Sequence, residues 1–300
     1  YIQVFMEDPD FTFSLLNESL QVEEGNSITV KVKVEPKPGK YIPNTLFVES
    51  SIGRFAMNKI AKNKAEYKFE NLSEDLQVRF EGKGNKSEPF IINVVKRTSL
   101  GQLWATIDYP EYLEMNDEKV ENPGDLVLPE GTKVSWDGVV KNTKALSIIF
   151  NDSISYFENS GFRYSRQFDK GGELQFVLEN KEIDKSDSIY YLINVIKDQY
   201  PSIVVKQEKD TVSANKLKIS GNVADDHGIS RLVMRYEIEK KDGQTLRKSL
   251  EVPRVSGKES PFSMIVDIDR FDLDLEDRLS YYFLVYDNDG VNGAKSTRSS

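Results

Sequence analysis

Two short runs in the last third of the chain concentrate oxygen ligands: Asp225-Asp226-His227-Gly228 and Asp287-Asn288-Asp289-Gly290-Val291-Asn292-Gly293. Carboxylate and amide oxygens at that density are the ligand chemistry of Ca²⁺, a hard cation that takes six to eight oxygens. The spacing is not that of an EF-hand, because Val285 and Val291 stand where such a loop needs ligands. Asp, Asn and Gly are equally the residues of tight turns. Lys295 or Arg298 could also neutralise the carboxylates, so plain turns stand beside calcium as a reading.

Other chemistry is poorly supplied. His227 is the only histidine, so a Ser-His-Asp triad or a histidine-rich metal site would have to pass through it. Its Asp- and Gly-rich surroundings read as a turn. The 49 Asp and Glu make chance carboxylate pairs inevitable, and the two tryptophans, Trp104 and Trp136, fall in strand patterns that suit core packing better than a glycan-lined cleft. There is no cysteine, which removes thiol catalysis, cysteine zinc sites and iron–sulfur clusters. No catalytic residues and no cofactor are assigned, calcium apart, and the chain reads as a non-enzyme.

The elements that must position the acidic runs follow from apolar periodicity. Ser27-Ile28-Thr29-Val30-Lys31-Val32-Lys33-Val34-Glu35 alternates at period 2, as do Glu66-Tyr67-Lys68-Phe69-Glu70, Leu76-Gln77-Val78-Arg79-Phe80-Glu81 and Leu217-Lys218-Ile219-Ser220-Gly221-Asn222-Val223. Pro36-Lys37-Pro38-Gly39, Gly82-Lys83-Gly84-Asn85, Lys170-Gly171-Gly172 and Lys241-Asp242-Gly243 punctuate them as turns. No stretch of helical length has a 3.6 period. Short strands with regular turns predict β-sandwiches.

The chain also repeats itself. Ile91-Ile92-Asn93-Val94-Val95-Lys96-Arg97 returns as Leu192-Ile193-Asn194-Val195-Ile196-Lys197-Asp198, with a looser echo at Tyr282-Phe283-Leu284-Val285-Tyr286-Asp287-Asn288. Leu20-Gln21-Val22-Glu23-Glu24-Gly25 is answered by Leu126-Val127-Leu128-Pro129-Glu130-Gly131. A period of about 100 residues fits tandem small domains. The expectation is all-β: three tandem immunoglobulin-like β-sandwiches in a rod, at residues 1–98, 99–198 and 199–300, with linkers too short for free tumbling. In such a sandwich the B–C and F–G loops emerge at the end where the first strand enters. That places Asp225 and Asp226 (B–C) beside Asp287 and Asp289 (F–G), with Asp198 arriving from the linker, and makes these five the calcium candidates at the joint of modules two and three.

The net charge of −9 argues against a nucleic-acid partner, which needs clustered Lys and Arg. Zero cysteine in small β-domains points to a bacterial or intracellular product. No run has the length of a membrane span. The chain opens at Tyr1 without Met and reads as a fragment, with any membrane anchor in segments outside it.

Phe11-Thr12-Phe13-Ser14-Leu15-Leu16-Asn17, Tyr41-Ile42-Pro43-Asn44, Asp108-Tyr109-Pro110-Glu111-Tyr112, Pro123-Gly124-Asp125-Leu126, Pro129-Glu130-Gly131-Thr132-Lys133-Val134, Asp225-Asp226-His227-Gly228-Ile229-Ser230-Arg231-Leu232, and Tyr281-Tyr282-Phe283 with Tyr286-Asp287-Asn288-Asp289-Gly290-Val291-Asn292-Gly293 form a set. It resembles the extracytoplasmic immunoglobulin-like region of a large, uncharacterised membrane-anchored protein family of Bacteroidota. The resemblance implies a periplasmic setting, membrane tethering by regions outside this chain, and no known catalytic residues. It also implies O-glycosylation at Asp-Ser/Thr-apolar triplets, which makes Ser153, Ser188 and Thr211 candidates. The expected function is a spacer and protein-interaction arm, a scaffold whose partners are envelope proteins engaged by edge-strand pairing. The alternative is a glycan- or ligand-binding β-sandwich module, which needs an exposed aromatic platform.

Overall fold

The structure is a computed structural model that describes residues 10–209 and 215–300. Period-2 alternation becomes strands throughout. The first module holds β1 (Phe11–Leu15), β2 (Gln21–Glu23), β3 (Ile28–Pro36), β4 (Phe47–Ser50), β5 (Gly53–Ala56), β6 (Asn58–Ala61), β7 (Lys64–Phe69), β8 (Leu76–Gly82), β9 (Asn85–Lys86) and β10 (Phe90–Val95). They form two sheets, ordered β1-β3-β7-β6 and β2-β10-β8-β4-β5, with β9 paired to β8. This is the immunoglobulin order, A-B-E-D in one sheet and G-F-C in the other. Inward positions of β3 (Val30, Val32, Val34), β4 (Val48), β8 (Val78, Phe80) and β10 (Ile92) fill one core with Phe11.

The second module comprises β11 (Ser99–Asp108), a 3₁₀ turn (Glu111–Leu113), β12 (Glu118–Glu121), β13 (Leu126–Pro129), β14 (Thr132–Lys141), β15 (Thr143–Phe150), β16 (Ser153–Phe157), β17 (Gly161–Phe168), β18 (Gly172–Asn180) and β19 (Ser186–Ile196). Its sheets are ordered β12-β11-β14-β17 and β13-β19-β18-β15-β16. Trp136 is buried between Tyr164 and Phe168, with ring centroids at 5.7 and 5.8 Å, as its strand position leads one to expect. Trp104 is half-buried, with the Lys119 ammonium 5.0 Å from its ring.

The repeats have a structural cause. In each of the first two modules a short strand runs parallel to the last: β2 with β10, Val95 opposite Glu23, and β13 with β19, Ile196 opposite Pro129. Glu24 N–H then donates to Val95 O, and Glu130 N–H to Ile196 O, both at 2.9 Å. Gly25 and Gly131 turn the chain at φ +79 and +84, a left-handed geometry that suits glycine. The lysine ending each repeat closes the clasp. Lys96 reaches Glu24 (2.8 Å) and the Ser73 carbonyl, and Lys197 reaches Glu130 (2.7 Å) and the Asp169 carbonyl. The third echo is a different strand. It lies in β24, which pairs antiparallel on both sides and is the F strand, not the terminal one.

The third module comprises β20 (Ser202–Lys209), β21 (Lys216–Glu239), β22 (Thr245–Val252), β23 (Gly257–Asp267), a 3₁₀ turn (Ile268–Phe271), β24 (Arg278–Asp287) and β25 (Ser296–Arg298). β21 is the B and C strands in one. Its first half pairs with β20 and β23, its second with β22 and β24, and the register shifts between Ala224 and Ile229. The expected B–C loop is therefore a corner inside a continuous strand. Asp225 Oδ2 accepts from the N–H groups of His227 (3.0 Å) and Gly228 (2.7 Å), and Gly228 sits at φ +149, a positive angle that suits glycine where the strand turns its corner.

By contacts the described residues fall into two compact units. One is 10–99 with 140–146 and 178–187; the other holds the remainder. Within the first unit, Asn180 donates to the Lys96 carbonyl (3.1 Å), Asn142 to the Arg97 carbonyl (2.9 Å), Lys185 to Glu23 (2.7 Å) and Thr98 to Asp187. The junction described next lies wholly within the second unit.

Candidate functional site

Five segments meet where the second module hands over to the third. Asp198 follows β19, Asp225 to Gly228 form the corner of β21, Asp287 to Lys295 link β24 to β25, and Tyr112 and Glu130 come from the second module. Asn288 N–H donates to the Gly228 carbonyl (3.0 Å), and its side-chain amide lies 3.4 Å from the Tyr112 carbonyl. The Tyr112 ring meets His227 edge-on at 5.8 Å. Asn292 donates to Glu130 (3.1 Å), so the glutamate of the second clasp also holds the third module.

Of the five predicted carboxylates, Asp198 and Asp226 have ligand atoms within 4.8 Å of each other and of His227, and the five stand in unequal states. Asp289, 5% exposed, is used up: Oδ1 accepts from the N–H groups of Val291 (2.7 Å) and Asn292 (3.2 Å), and Oδ2 from the Lys295 ammonium (3.1 Å). Burial pushes its pKa up, but those donors outweigh burial and leave it below the ordinary value. Lys295 also pairs with Asp198 Oδ2. Burial works against its charge, yet the two carboxylates raise its pKa above the ordinary lysine value.

The other four each keep an unsatisfied oxygen. Asp198 Oδ1, Asp225 Oδ1, Asp226 Oδ1 and Asp287 Oδ2 are buried with no donor, as is Asn288 Oδ1. Asp198 is 8% exposed and Asp287 only 1%. Desolvation raises the pKa of both. At Asp198 the charges of Asp226 and Asp289 add to the rise against Lys295; at Asp287 the charge of Asp198 adds to it against the N–H groups of Asp289 and Lys295. Burial, then the charges of Asp198 and Asp289, push the Tyr112 phenol up to about 12.

Sequence reasoning placed His227 in an exposed turn and assigned it no role. The structure sets its Nε2 3.3 Å from Asp226 Oδ2 and 3.8 Å from Asp198 Oδ1, and one ligand atom from each of the three lies within 4.8 Å of the others. Arg298 is elsewhere, stacked 3.9 Å over Tyr282. That stacking caps an aromatic face in the open groove lined by Arg235, Arg247, Lys248, Tyr281 and Tyr282. Ser153 and Ser188 are exposed at their strands, and Thr211 lies outside the described residues.

The strand orders and this end-on junction define an all-β chain of tandem immunoglobulin-like sandwiches. Among solved structures, the D1–D4 ectodomain fragment of ICAM-5 aligns at 10% identity and TM-score 0.37, over 97% of this chain and 76% of that one. The fibronectin(III)-like modules of Clostridium thermocellum CbhA align at 10% identity and TM-score 0.29, over 62% and 95%. No protein-family model and no curated protein matches the sequence.

Proposed function

We propose that this chain is a non-catalytic spacer and protein-interaction arm of a membrane-anchored envelope protein of the Bacteroidota family it resembles, working in the periplasm. The observation that carries the reading is an exposed apolar stripe on the second module. Tyr190, Leu192 and Ile196 of β19 point outward at alternate positions, and Val127 of β13 stands on the same face, opposite Asn194. Grouped apolar surface of this kind marks contact with another macromolecule. The edge strand β16 adds exposed Ile154 and Tyr156 beside unpaired backbone, the arrangement that β-augmentation uses. The clamped junction supports the spacer half of the reading, since a loose tether has no need of buried ion pairs. Among the described residues no helix is long and apolar enough to cross a membrane.

Glycan binding has less support, because Arg298 already covers the Tyr282 ring in the groove of the third module. The test is capture from envelope membranes with the wild-type chain and with Leu192→Glu/Ile196→Glu, which alters only exposed positions. Loss of specific partners in the variant is the expected result. An identical partner list from both proteins sinks the interaction reading.

A further inference from the structure

We infer that Asp198 of the linker, with Asp226 and His227 of the β21 corner, forms a site for a divalent transition metal of the zinc kind. One ligand atom from each of the three lies within 4.8 Å of the others. His227 Nε2 stands 3.3 Å from Asp226 Oδ2 and 3.8 Å from Asp198 Oδ1. Ligands about 2.1 Å from a tetrahedral ion stand about 3.4 Å apart, so these spacings are close to those of a bound set. A second observation is independent of the clustering. Asp198 Oδ1 is a buried acceptor with no hydrogen-bond donor, on a side chain only 3% exposed. Its other oxygen is taken by the Lys295 ammonium, which leaves Oδ1 to face His227. Buried acceptors are nearly always satisfied. At 3.8 Å the imidazole is too far to satisfy this one as a donor, whereas an ion between them would. Asp226 Oδ1 is a second buried acceptor left without a donor.

The surroundings hold these ligands in place. Asp225 Oδ2 anchors the backbone N–H groups of His227 and Gly228, and the Tyr112 ring meets the imidazole edge-on at 5.8 Å. The donor set selects the ion. Calcium takes six to eight oxygens. One imidazole nitrogen and two carboxylate oxygens are donors that zinc takes, with water in the fourth position. The side chains of His227 and Asp226 are 29% and 31% exposed, which leaves that position open to solvent. With the imidazole neutral, the two carboxylates balance the charge of the ion. Bound there, it would tie the linker to the strand corner, and the site stands whether or not the arm holds partners.

The test uses the whole chain, carrying no added histidine tag, freed of metal with a chelator and dialysed. It is titrated with ZnCl₂ alone at about pH 8, where imidazole is neutral, by calorimetry and by thermal unfolding. Binding of one Zn²⁺ per chain is expected, with a melting temperature that climbs with concentration by mass action. CaCl₂ at the same concentrations should leave the melting temperature unmoved. His227→Gln removes the chain's only imidazole and should weaken zinc binding at least about 10-fold. Asp226→Asn is half-buried and removes repulsion of Asp198, so metal-free it should melt no lower than wild type while binding zinc at least about 10-fold more weakly. Three results overturn the site: no zinc heat and no melting shift up to about 100 μM, an undiminished response in either variant, or a response to CaCl₂ equal to that to ZnCl₂.

Discussion

Asp287 shows how far burial and hydrogen bonding can disagree about one carboxylate. Oδ1 accepts from the N–H groups of Asp289 (3.2 Å) and Lys295 (2.7 Å), and Oδ2 has nothing. Asparagine keeps the first oxygen and removes a buried charge that lies near that of Asp198. Asp287→Asn should therefore stabilise the chain by about 1–3 kcal/mol, the cost of a buried polar group left without a partner. Urea unfolding measures this, and a variant less stable than wild type would refute it. The pH dependence has a definite sign. The folded pKa values of Asp198 and Asp287 lie above their unfolded values, so their contribution to stability is present at low pH and lost as pH rises through the raised values. Glu49 works in the opposite sense. Hydrogen bonds from Arg79 and Lys86 hold it down to about 2, so its contribution is lost only as pH falls from 4.5 toward that value. Wild type should thus gain stability as pH falls from 7 toward the raised values of Asp198 and Asp287, with a smaller gain in Asp287→Asn.

Among the elements, the glutamate-glycine turn after β13 differs from its twin after β2 in what it touches. A Cβ on Gly25 would meet nothing closer than 3.7 Å, whereas one on Gly131 would lie 2.8 Å from both methyls of Val291 in the loop after β24. Gly131→Ala should cost about 1–3 kcal/mol more than Gly39→Ala, which shares the positive φ but has open space around it. Adding Val291→Ala should recover most of that excess, and equal costs for the two glycines would argue against loop packing there. This element also marks where sequence stops being informative. Strands are legible because alternation is a local signal, and the repeats are legible because a parallel strand pair and its Glu–Lys clasp recur in two modules. Alternation says that a strand is half-buried without saying where in the sandwich it lies, so the Tyr282 echo resembles the terminal strands β10 and β19 and yet is the F strand. Asp225-Asp226-His227-Gly228 has turn composition yet lies inside a strand, because Asp225 supplies the turn's hydrogen bonds from within it and Gly228 takes the positive φ. The approach of Tyr112, Glu130 and Asn292 depends on tertiary geometry that no local spacing encodes.

At the scale of the whole molecule, the question is whether the modules of the second compact unit unfold together. Lys295 joins Asp198, which ends the second module, to Asp289, inside the third, and the carboxylate side chains are 3% and 1% exposed. Removing one partner from a buried charge pair leaves the others uncompensated, at a cost of about 3–5 kcal/mol. That penalty falls on the junction rather than on either hydrophobic core, since Phe283, Val285 and Leu232 pack within the third module without reference to Lys295. Lys295→Met should therefore lower the melting temperature of the third module and separate its transition from that of the second in scanning calorimetry. A single unsplit transition at the wild-type temperature would mean that the ion pairs decorate the junction without coupling its modules. A split transition would make the joint a cooperative element, and Lys295 its mechanical centre.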